Sequence, residues 1–293
     1  MTAEDQFRTG MALLADPARA AEWQQAVQLV DGAAAAGLDA AIERRALFEC
    51  MGVGRPPDWT KAIESLSEAA EKGSEVAKAQ SLVLGGRPIP QLLRAPAGST
   101  LSPNPIIRTV PQFANAAECQ WLIEAAKDRL ERAIIYSTTT GEQGVDPGRT
   151  NQFALFDFVH LDVIVEMIRA RIANAIGAPL PCLEVSQVLR YSPGEEFAPH
   201  HDFLDAETMS EEIARRGQRA VTALVYLNDA FEGGETSFPE LGIEHRAAAG
   251  DALFFSNVDP MGKPDPRTRH AGRPPTSGEK WLFSQWVRDR IPA

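Results

Sequence analysis

Two histidines and one aspartate stand at spacings at which they could bind a metal ion together. His200 and Asp202 are two residues apart in Pro-His-His-Asp, after a run typical of a β-strand. Side chains two positions apart on a strand point to the same face, so both could contact one cation while His201 points away. A third candidate ligand, His270, lies in Arg-His-Ala-Gly-Arg-Pro. Together the three would leave part of the coordination sphere of a metal ion open.

Two histidines and one carboxylate with open coordination positions form the facial triad of non-haem Fe(II) oxygenases. The alternative interpretation is a surface turn containing His200 and Asp202 plus an unrelated histidine, because His-x-Asp often occurs by chance. On these residues alone the surface turn is the simpler interpretation. The sequence that follows His270 favours the metal site instead.

A strand-like run with a lysine at its start follows His270. In Gly-Glu-Lys-Trp-Leu-Phe-Ser-Gln-Trp-Val-Arg, alternation places Lys280, Leu282, Ser284 and Trp286 on one face. A lysine on a face with a serine and a tryptophan indicates a pocket wall with a buried cation, which needs an anionic partner. The alternative is an edge lysine whose ammonium group reaches solvent.

These segments resemble the catalytic domain of the prolyl 4-hydroxylase-type Fe(II)/2-oxoglutarate dioxygenases, from about Glu184 to Arg288. Seven segments match in the family's order: Gln187-Val-Leu-Arg-Tyr-Ser-Pro-Gly, Pro199-His-His-Asp-Phe, Tyr226-Leu-Asn, Glu232-Gly-Gly-Glu-Thr-Ser-Phe-Pro, Gly250-Asp-Ala-Leu-Phe-Phe, His270-Ala-Gly and Gly278-Glu-Lys-Trp. Any one of them would be weak evidence, whereas seven in order are highly specific.

The resemblance implies an active site with a metal and a cosubstrate. His200, Asp202 and His270 would hold Fe(II), and 2-oxoglutarate and O2 would take the remaining positions. Lys280 would pair with the distal carboxylate of 2-oxoglutarate, helped by the hydroxyl of Tyr226. The cosubstrate site would also include Tyr191, close to the iron-proximal end, and Ser284, which shares the inward face of Lys280. L-ascorbate is the reductant that such enzymes often need.

The substrate side departs from the family pattern at several positions. Phe197 stands where the family often has tyrosine, and Arg288 stands where several peptide-prolyl members have histidine. Arg149 lies in Arg-Thr-Asn, where the family has Arg-Thr-Ser. With Glu184, which keeps an acidic position at the strand start, and Trp286, these residues are the predicted substrate-binding set. We therefore expect the iron and cosubstrate sites to be intact, whereas these departures leave the identity of the substrate open.

Three functions remain open from the sequence. The first is a hydroxylase acting on a peptidyl residue, proline first, of a protein partner. The second is a hydroxylase of a small molecule or free amino acid, whose carboxylate Arg149 and Arg288 would bind. The third is a non-catalytic interaction protein built on helical repeats. The combination of the three metal ligands with Lys280 and Tyr226 favours an enzyme, because a non-catalytic domain has no physical need for it.

The helices and strands that must position these residues are predicted to form an α+β fold. The resemblance implies a double-stranded β-helix, or jelly roll, with flanking helices at residues 106–293. Helices are predicted at about 115–132 and 161–176, and a short surface helix between 205 and 218. Residues 137–152 have loop composition, and a lid over the substrate and a solvated loop are equally good interpretations. Strands are predicted at about 183–191, 197–202, 219–227, 235–238, 243–247, 252–255, 267–271 and 280–288.

The first 85 residues form an alanine-rich internal repeat. The segment from Trp23 to Gly37 realigns on the segment from Trp59 to Gly73, and each is a helix ending at a C-cap glycine before a second helix. The pattern resembles Sel1-type repeats, a small all-α domain that either binds the partner or only supports the catalytic domain. Residues 86–105, rich in Pro, Gly, Ser and Thr, are the predicted linker.

Composition restricts the classes of binding partner and predicts the cellular location. Forty acidic and twenty-nine basic residues give a net charge of −11, which argues against nucleic acid and fits a neutral or basic protein partner. No run approaches the roughly 20 apolar residues of a membrane helix, and the acidic N-terminus is unlike a signal peptide. Cys50, Cys119 and Cys182 are widely spaced and odd in number, so we expect reduced thiols and a cytoplasmic protein.

Overall fold

The chain folds into two compact units that interleave in sequence. In the computed structural model, residues 1–132, 134–136, 143–145 and 148–292 are described, with the backbone alone at 134–136 and 143–145. One unit comprises Met1–Arg94 and Phe156–Arg171, and the other comprises Ala95–Leu155 and Ile172–Ala293. Among the described residues, no helix combines the length and apolarity needed to cross a bilayer.

The first unit is helical. Its helices are α1 (Ala3–Ala15), α2 (Trp23–Ala35), α3 (Asp39–Met51), α4 (Trp59–Glu71), α5 (Glu75–Leu84) and α6 (Ile89–Leu93). Asp58 and Ser74 begin α4 and α5 as N-caps, since their side chains accept backbone N–H bonds. Gly37 and Gly73 follow α2 and α4 with positive φ, as the repeat predicted. The helical hairpins are confirmed, whereas their assignment to the Sel1 type stays a prediction.

A later segment of the chain completes the helical unit. The ring of Phe158 stacks on Trp23 and Phe48, with centroids 6.3 and 5.9 Å apart. Arg44 donates hydrogen bonds to the carbonyl oxygens of Phe158 and Val159, at 2.9 and 2.8 Å. The unit therefore takes in residues 156–171, which the predicted boundaries assign to the oxygenase domain.

The second unit contains the sheets. Its helices are α7 (Ala116–Lys127), the end of α8 (Val163–Ile176) and α9 (Ser210–Arg216). The strands of the chain are β1 (Ser99–Pro103), β2 (Ile106–Val110), β3 (Glu131–Arg132), β4 (Ile134–Tyr136), β5 (Gln143–Val145), β6 (Gln152–Phe156), β7 (Ser186–Tyr191), β8 (Phe197–His200), β9 (Arg219–Tyr226), β10 (Phe231–Gly233), β11 (Thr236–Phe238), β12 (Ile243–His245), β13 (Ala252–Ser256), β14 (His270–Gly272), β15 (Pro275–Gly278) and β16 (Lys280–Arg288). As predicted, the Asn115 side chain caps α7 by accepting from Glu118 N, and Asn115 N donates in return to the Glu118 carboxylate.

Two of the sheets enclose the core. The larger has the order β1-β2-β13-β9-β16-β7-β6-β3, and the smaller has the order β12-β11-β14-β8. Alternate residues of the larger sheet, such as Leu224 and Tyr226 on β9, pack with Phe238 of the smaller. Two facing antiparallel sheets are the predicted jelly roll, which is confirmed.

The predicted linker, 86–105, holds regular structure. It contains α6 and β1, and β1 pairs with β2, which in turn pairs with β13. β1 and β2 are neighbours in sequence, but the pairing of β2 with β13, which joins both to the sheet, links positions far apart, so local composition does not indicate it.

Candidate active site

The three predicted metal ligands meet on the smaller sheet. His270 on β14 is the register partner of His200 at the end of β8, and Asp202 follows two residues later. His200 Nε2 lies 3.5 Å from Asp202 Oδ1, and His270 Nε2 lies 3.5 Å from Asp202 Oδ2. The ligand atoms of all three lie within 4.8 Å of one another, close enough to contact one ion.

Backbone carbonyls fix the orientation of both imidazoles. His200 Nδ1 lies 2.8 Å from the Ala198 oxygen, and His270 Nδ1 lies 3.0 Å from the Thr268 oxygen. A carbonyl only accepts, so each Nδ1 carries the proton and each Nε2 keeps its lone pair for a metal. His201 points elsewhere, because its Nε2 donates to the Pro266 oxygen at 3.0 Å.

A β-bulge brings Phe197 to the same face as His200. The β14 partners of these residues, Gly272 and His270, are two positions apart, whereas Phe197 and His200 are three apart. The extra residue in β8 rotates the strand. The Phe197 ring consequently stacks on the His200 imidazole, with centroids 3.5 Å apart and planes within 10°.

Burial and mutual charge set the protonation of the ligands. Burial lowers the pKa of His270 to about 4, and the facing His200 adds to this shift while Asp202 opposes it. Burial alone would raise the pKa of Asp202, but His270, His200 and Thr222 outweigh it and hold that pKa below its ordinary value. A neutral imidazole beside an ionised carboxylate is the state that a divalent metal requires.

A buried lysine lies beside the cavity that the ligands line. Lys280 is fully buried on β16, and its ammonium group donates to the Gly234 oxygen at 2.6 Å. Its Nζ lies 5.2 and 5.5 Å from the ring centroids of Tyr191 and Tyr226. Tyr191 and Thr236 line the cavity, and Thr236 shares a 2.7 Å hydrogen bond with the Tyr226 hydroxyl.

Burial shifts the protonation of this inner group. Desolvation lowers the pKa of Lys280 from its ordinary value to about 7, although Glu235 opposes the shift. Burial likewise raises the pKa of the Tyr191 and Tyr226 phenols, which therefore keep their protons. Lys280 can thus gain a full charge when an anion arrives.

The more exposed side of the cavity is formed by Arg149, Phe197 and Trp286. Arg149 donates to Gln187 Oε1 at 3.0 Å, and its guanidinium carbon lies 4.7 Å from the Phe197 ring centroid. Trp286 and Ser284 line the cavity from β16, as the predicted face requires. Of the predicted lid, residues 137–142, 146 and 147 lie outside the described residues. At its described end, Ala198 N donates to the Gly148 oxygen at 2.6 Å.

The structure places Glu184 and Arg288 elsewhere than their predicted substrate-binding role requires. Neither lines the cavity. Arg288 Nε lies 2.5 Å from Glu184 Oε1, and Arg219 donates to both oxygens of the same carboxylate. Arg288 lies at the end of β16, two residues beyond Trp286, where its guanidinium group pairs with Glu184 and Glu212 instead of reaching the cavity.

Sequence reasoning missed four residues that complete the site. Thr236 and Gln187 line the cavity, Thr222 donates to Asp202 Oδ2, and Asn257 donates to Thr222. A signal existed for Thr222, which alternation places on the face of Tyr226. Asn257 comes just after β13, so it has no alternation pattern to identify it.

The donor set fits Fe(II). Two imidazoles with free Nε2 atoms and one ionised carboxylate form a three-ligand face that leaves other coordination positions open. The buried lysine nearby fits the far carboxylate of a diacid, and the site as a whole fits oxidation of a C–H bond with iron, O2 and 2-oxoglutarate.

Comparison with known proteins agrees with this chemistry. Residues 186–288 match the model of the 2OG-Fe(II) oxygenase superfamily. The chain is 34% identical to prolyl 4-hydroxylase 1 of Arabidopsis thaliana over 201 residues, which are 64% of this chain and 70% of that protein. It is also 34% identical to the prolyl 4-hydroxylase subunit alpha-1 of Gallus gallus over 59% of this chain and 34% of that one.

Among solved structures, the chain is similar to the viral collagen prolyl hydroxylase of Paramecium Bursaria Chlorella virus-1, with 28% identity and a TM-score of 0.49. That similarity covers 62% of this chain and 95% of the viral one. The sequence identity to the plant enzyme, over more than two thirds of its length, decides the family. The chain belongs to the prolyl 4-hydroxylase type of the 2OG-Fe(II) oxygenase superfamily and is a 2-oxoglutarate-dependent dioxygenase.

Proposed function

We propose that this enzyme hydroxylates a prolyl residue of a protein or peptide, with Fe(II) held by His200, Asp202 and His270. The observation that carries the proposal is the convergence of these ligands on one cavity beside the buried Lys280. The substrate class is supported by the relatives, which are named prolyl 4-hydroxylases.

The iron, when bound, supplies the oxidation of C–H to C–OH by O2, coupled to conversion of 2-oxoglutarate into succinate and CO2. The protein's own residues bind and orient the reactants. Lys280 has three protons and gives one to Gly234, so it can donate another to the distal carboxylate of 2-oxoglutarate. Tyr226, Tyr191 and Ser284 complete the proposed cosubstrate site.

Arg149, Phe197 and Trp286 are the proposed substrate wall. Their aromatic rings and the guanidinium group can hold a peptide segment against the metal side and exclude water. The alternative of a small-molecule hydroxylase relied on Arg149 together with Arg288. Because Arg288 is paired with Glu184 and Glu212, Arg149 alone of the two faces the cavity, and the carboxylate clamp is not formed.

The test is an assay for hydroxylation that also discriminates between the substrates. Proline-containing peptides, a cell extract and free proline are each incubated with the protein, Fe(II), 2-oxoglutarate and ascorbate under 18O2. We expect a labelled oxygen atom in a peptidyl proline and one succinate per hydroxylation, with His200→Ala as the inactive control. Label in free proline alone would instead support the small-molecule hydroxylase.

We also propose that helices α1–α5 help to recognise the protein partner. Helical hairpin units commonly bind partners, and α5 exposes two apolar side chains, Val76 and Leu82, the latter 81% exposed. Leu82→Glu should raise KM for a full-length substrate and leave KM for a short peptide unchanged. If Leu82→Glu and the wild type had the same KM for the full-length substrate and the same KM for the short peptide, helices α1–α5 would have only a supporting role.

A further inference from the structure

A two-residue hydrogen-bond relay holds one oxygen of the Asp202 carboxylate. Thr222 on β9 donates from its hydroxyl to Asp202 Oδ2 at 2.7 Å. Asn257, just after β13, donates from its amide nitrogen to the Thr222 hydroxyl oxygen at 2.9 Å. Thr222 is 1% exposed and Asn257 is fully buried, so water does not compete for either bond.

The protons fix the direction of the relay. An ionised carboxylate only accepts, so the single hydroxyl proton of Thr222 goes to Asp202. Asn257 must then offer its amide protons, which leaves its buried Oδ1 without a hydrogen-bond partner among the described residues. If the Asn257 amide were flipped, its Oδ1 would face the Thr222 hydroxyl oxygen. The Thr222 proton is already donated to Asp202, so neither oxygen could donate to the other. The unsatisfied Oδ1 is therefore a consequence of supporting Thr222.

The relay makes the two oxygens of Asp202 unequal. Oδ1 faces His200 Nε2, whereas Oδ2 faces His270 Nε2 and also accepts the Thr222 proton. A carboxylate binds a metal through one oxygen or through both. A hydrogen bond to one oxygen lowers its availability as a metal ligand, so the relay favours Oδ1.

We propose that Thr222 and Asn257 keep Asp202 a one-oxygen ligand and so preserve an open metal position for 2-oxoglutarate. The inference rests on the proposed ligand set of His200, Asp202 and His270. In a six-coordinate ion these ligands leave three positions, and a second Asp202 oxygen would occupy one of them. Thr222 and Asn257 are positioning residues, since they act through Asp202.

The test measures binding rather than turnover, with Co(II) as a spectroscopic probe in place of Fe(II). Thr222→Val removes the hydroxyl at nearly constant volume. We expect Co(II) affinity within about tenfold of wild type and 2-oxoglutarate affinity of the Co(II)-loaded protein about ten- to a hundredfold weaker. The visible Co(II) absorption should change less on adding 2-oxoglutarate, and Thr222→Ser should restore the wild-type response.

A second variant tests the relay with the hydroxyl in place. Asn257→Asp introduces an acceptor that competes for the Thr222 proton, so it should weaken 2-oxoglutarate binding in the same way. It decides the question if Thr222→Val does not fold. Ser256→Ala is the control, because that hydroxyl is next in the chain but donates to the Val258 oxygen, and it should bind as wild type does.

Three results would overturn the inference: wild-type 2-oxoglutarate affinity in Asn257→Asp, an equal loss of Co(II) and 2-oxoglutarate affinity, or the same defect in Ser256→Ala. Failure of the underlying ligand assignment looks different. In that case Co(II) would bind His200→Ala as tightly as wild type.

Discussion

The buried end of the cavity and its exposed rim are built by different means. At the buried end, Lys280 on β16 is the register partner of Tyr191 on β7. Two residues further along β16, Leu282 is the register partner of Tyr226 on β9. At the rim, Arg149 and Phe197 are half-buried and held by ring stacking and a bond to Gln187. Continuous strand pairing fixes the first group, whereas the second lies at an isolated bridge between Arg149 and Phe197 and at the bulged pairing of β8 with β14.

The difference separates two tasks of the enzyme. A residue fixed by sheet register moves only if the sheet is rebuilt, which suits chemistry that is the same for every substrate. A residue at a bulge or an isolated bridge can be exchanged at less cost to the fold, which suits specificity. Changes at the buried end should therefore act on 2-oxoglutarate, and changes at the rim should act on the peptide.

Between the two ends lies the metal site, where the largest effect is expected. His200→Ala removes a ligand and should abolish turnover. The loss should exceed the roughly 10–100-fold typical of residues that only support a metal ligand. Succinate formation and metal titration measure it. His201→Ala is the matched control, because His201 bonds to Pro266, and loss of metal binding in that variant would contradict the assignment.

Lys280→Ala should specifically impair use of the cosubstrate. A charge-assisted hydrogen bond contributes roughly 1.5–3 kcal/mol, so the 2-oxoglutarate requirement should rise about ten- to a hundredfold with metal affinity little changed. Pyruvate, which lacks the second carboxylate, should be a poor replacement in wild type. Lys263→Ala, at an exposed lysine, is the control. Superimposable titrations of succinate against 2-oxoglutarate for wild type and Lys280→Ala would remove Lys280 from the site.

The same lysine predicts a pH dependence. With a pKa of about 7, Lys280 in the free enzyme is an ammonium below that pH and loses its proton as the pH rises through it. The bound carboxylate needs the ammonium, so 2-oxoglutarate affinity should fall by up to about tenfold per pH unit above 7. Calorimetry at pH 8 in buffers of different ionisation enthalpy should show proton uptake on binding. Lys280→Arg stays charged and should abolish both effects.

At the rim, Arg149→Lys should raise KM for the peptide and leave KM for 2-oxoglutarate unchanged. The charge remains, but the planar stack on Phe197 is lost, and such contacts contribute roughly 0.5–2 kcal/mol, or about two- to thirtyfold in KM. Arg246→Lys is the matched control, since Arg246 lies 5.1 Å over the Phe231 ring away from the cavity. A rise in both KM values would show that the two ends are not separate.

Most of the buried end could be predicted from sequence because strand alternation holds there. Lys280 lies beside the cavity and Ser284 lines it, and the same two-residue period extends to Trp286 at the rim. The metal ligands likewise follow from motif spacing. The family resemblance implies the jelly roll, whereas β1 is not predicted because its Ser-Thr-Leu-Ser-Pro sequence has the composition of a loop.

The rest of the rim could not be predicted in the same way, because alternation along one strand does not describe it. A bulge in β8 turns Phe197 to the face of His200, although the two are three residues apart. Arg288 lies at the end of β16, where it forms ion pairs with Glu184 and Glu212 instead of lining the cavity. A bulge is a property of the paired strands, so a single strand's sequence does not reveal it.

The smallest effect is expected where the chain departs from its family, at Phe197. Phe197→Tyr keeps the ring that stacks on His200, so metal affinity and KM for 2-oxoglutarate should not change. The added hydroxyl gives the substrate wall one neutral hydrogen bond, which contributes roughly 0.5–1.5 kcal/mol. KM for a prolyl peptide should therefore fall about two- to tenfold. Phe197→Leu removes the stack and should raise it instead. The measurement is steady-state succinate formation with each reactant varied in turn. If Phe197→Tyr changed KM for 2-oxoglutarate as much as KM for the peptide, Phe197 would belong to the buried end, and the separation of the two ends would fail at this residue.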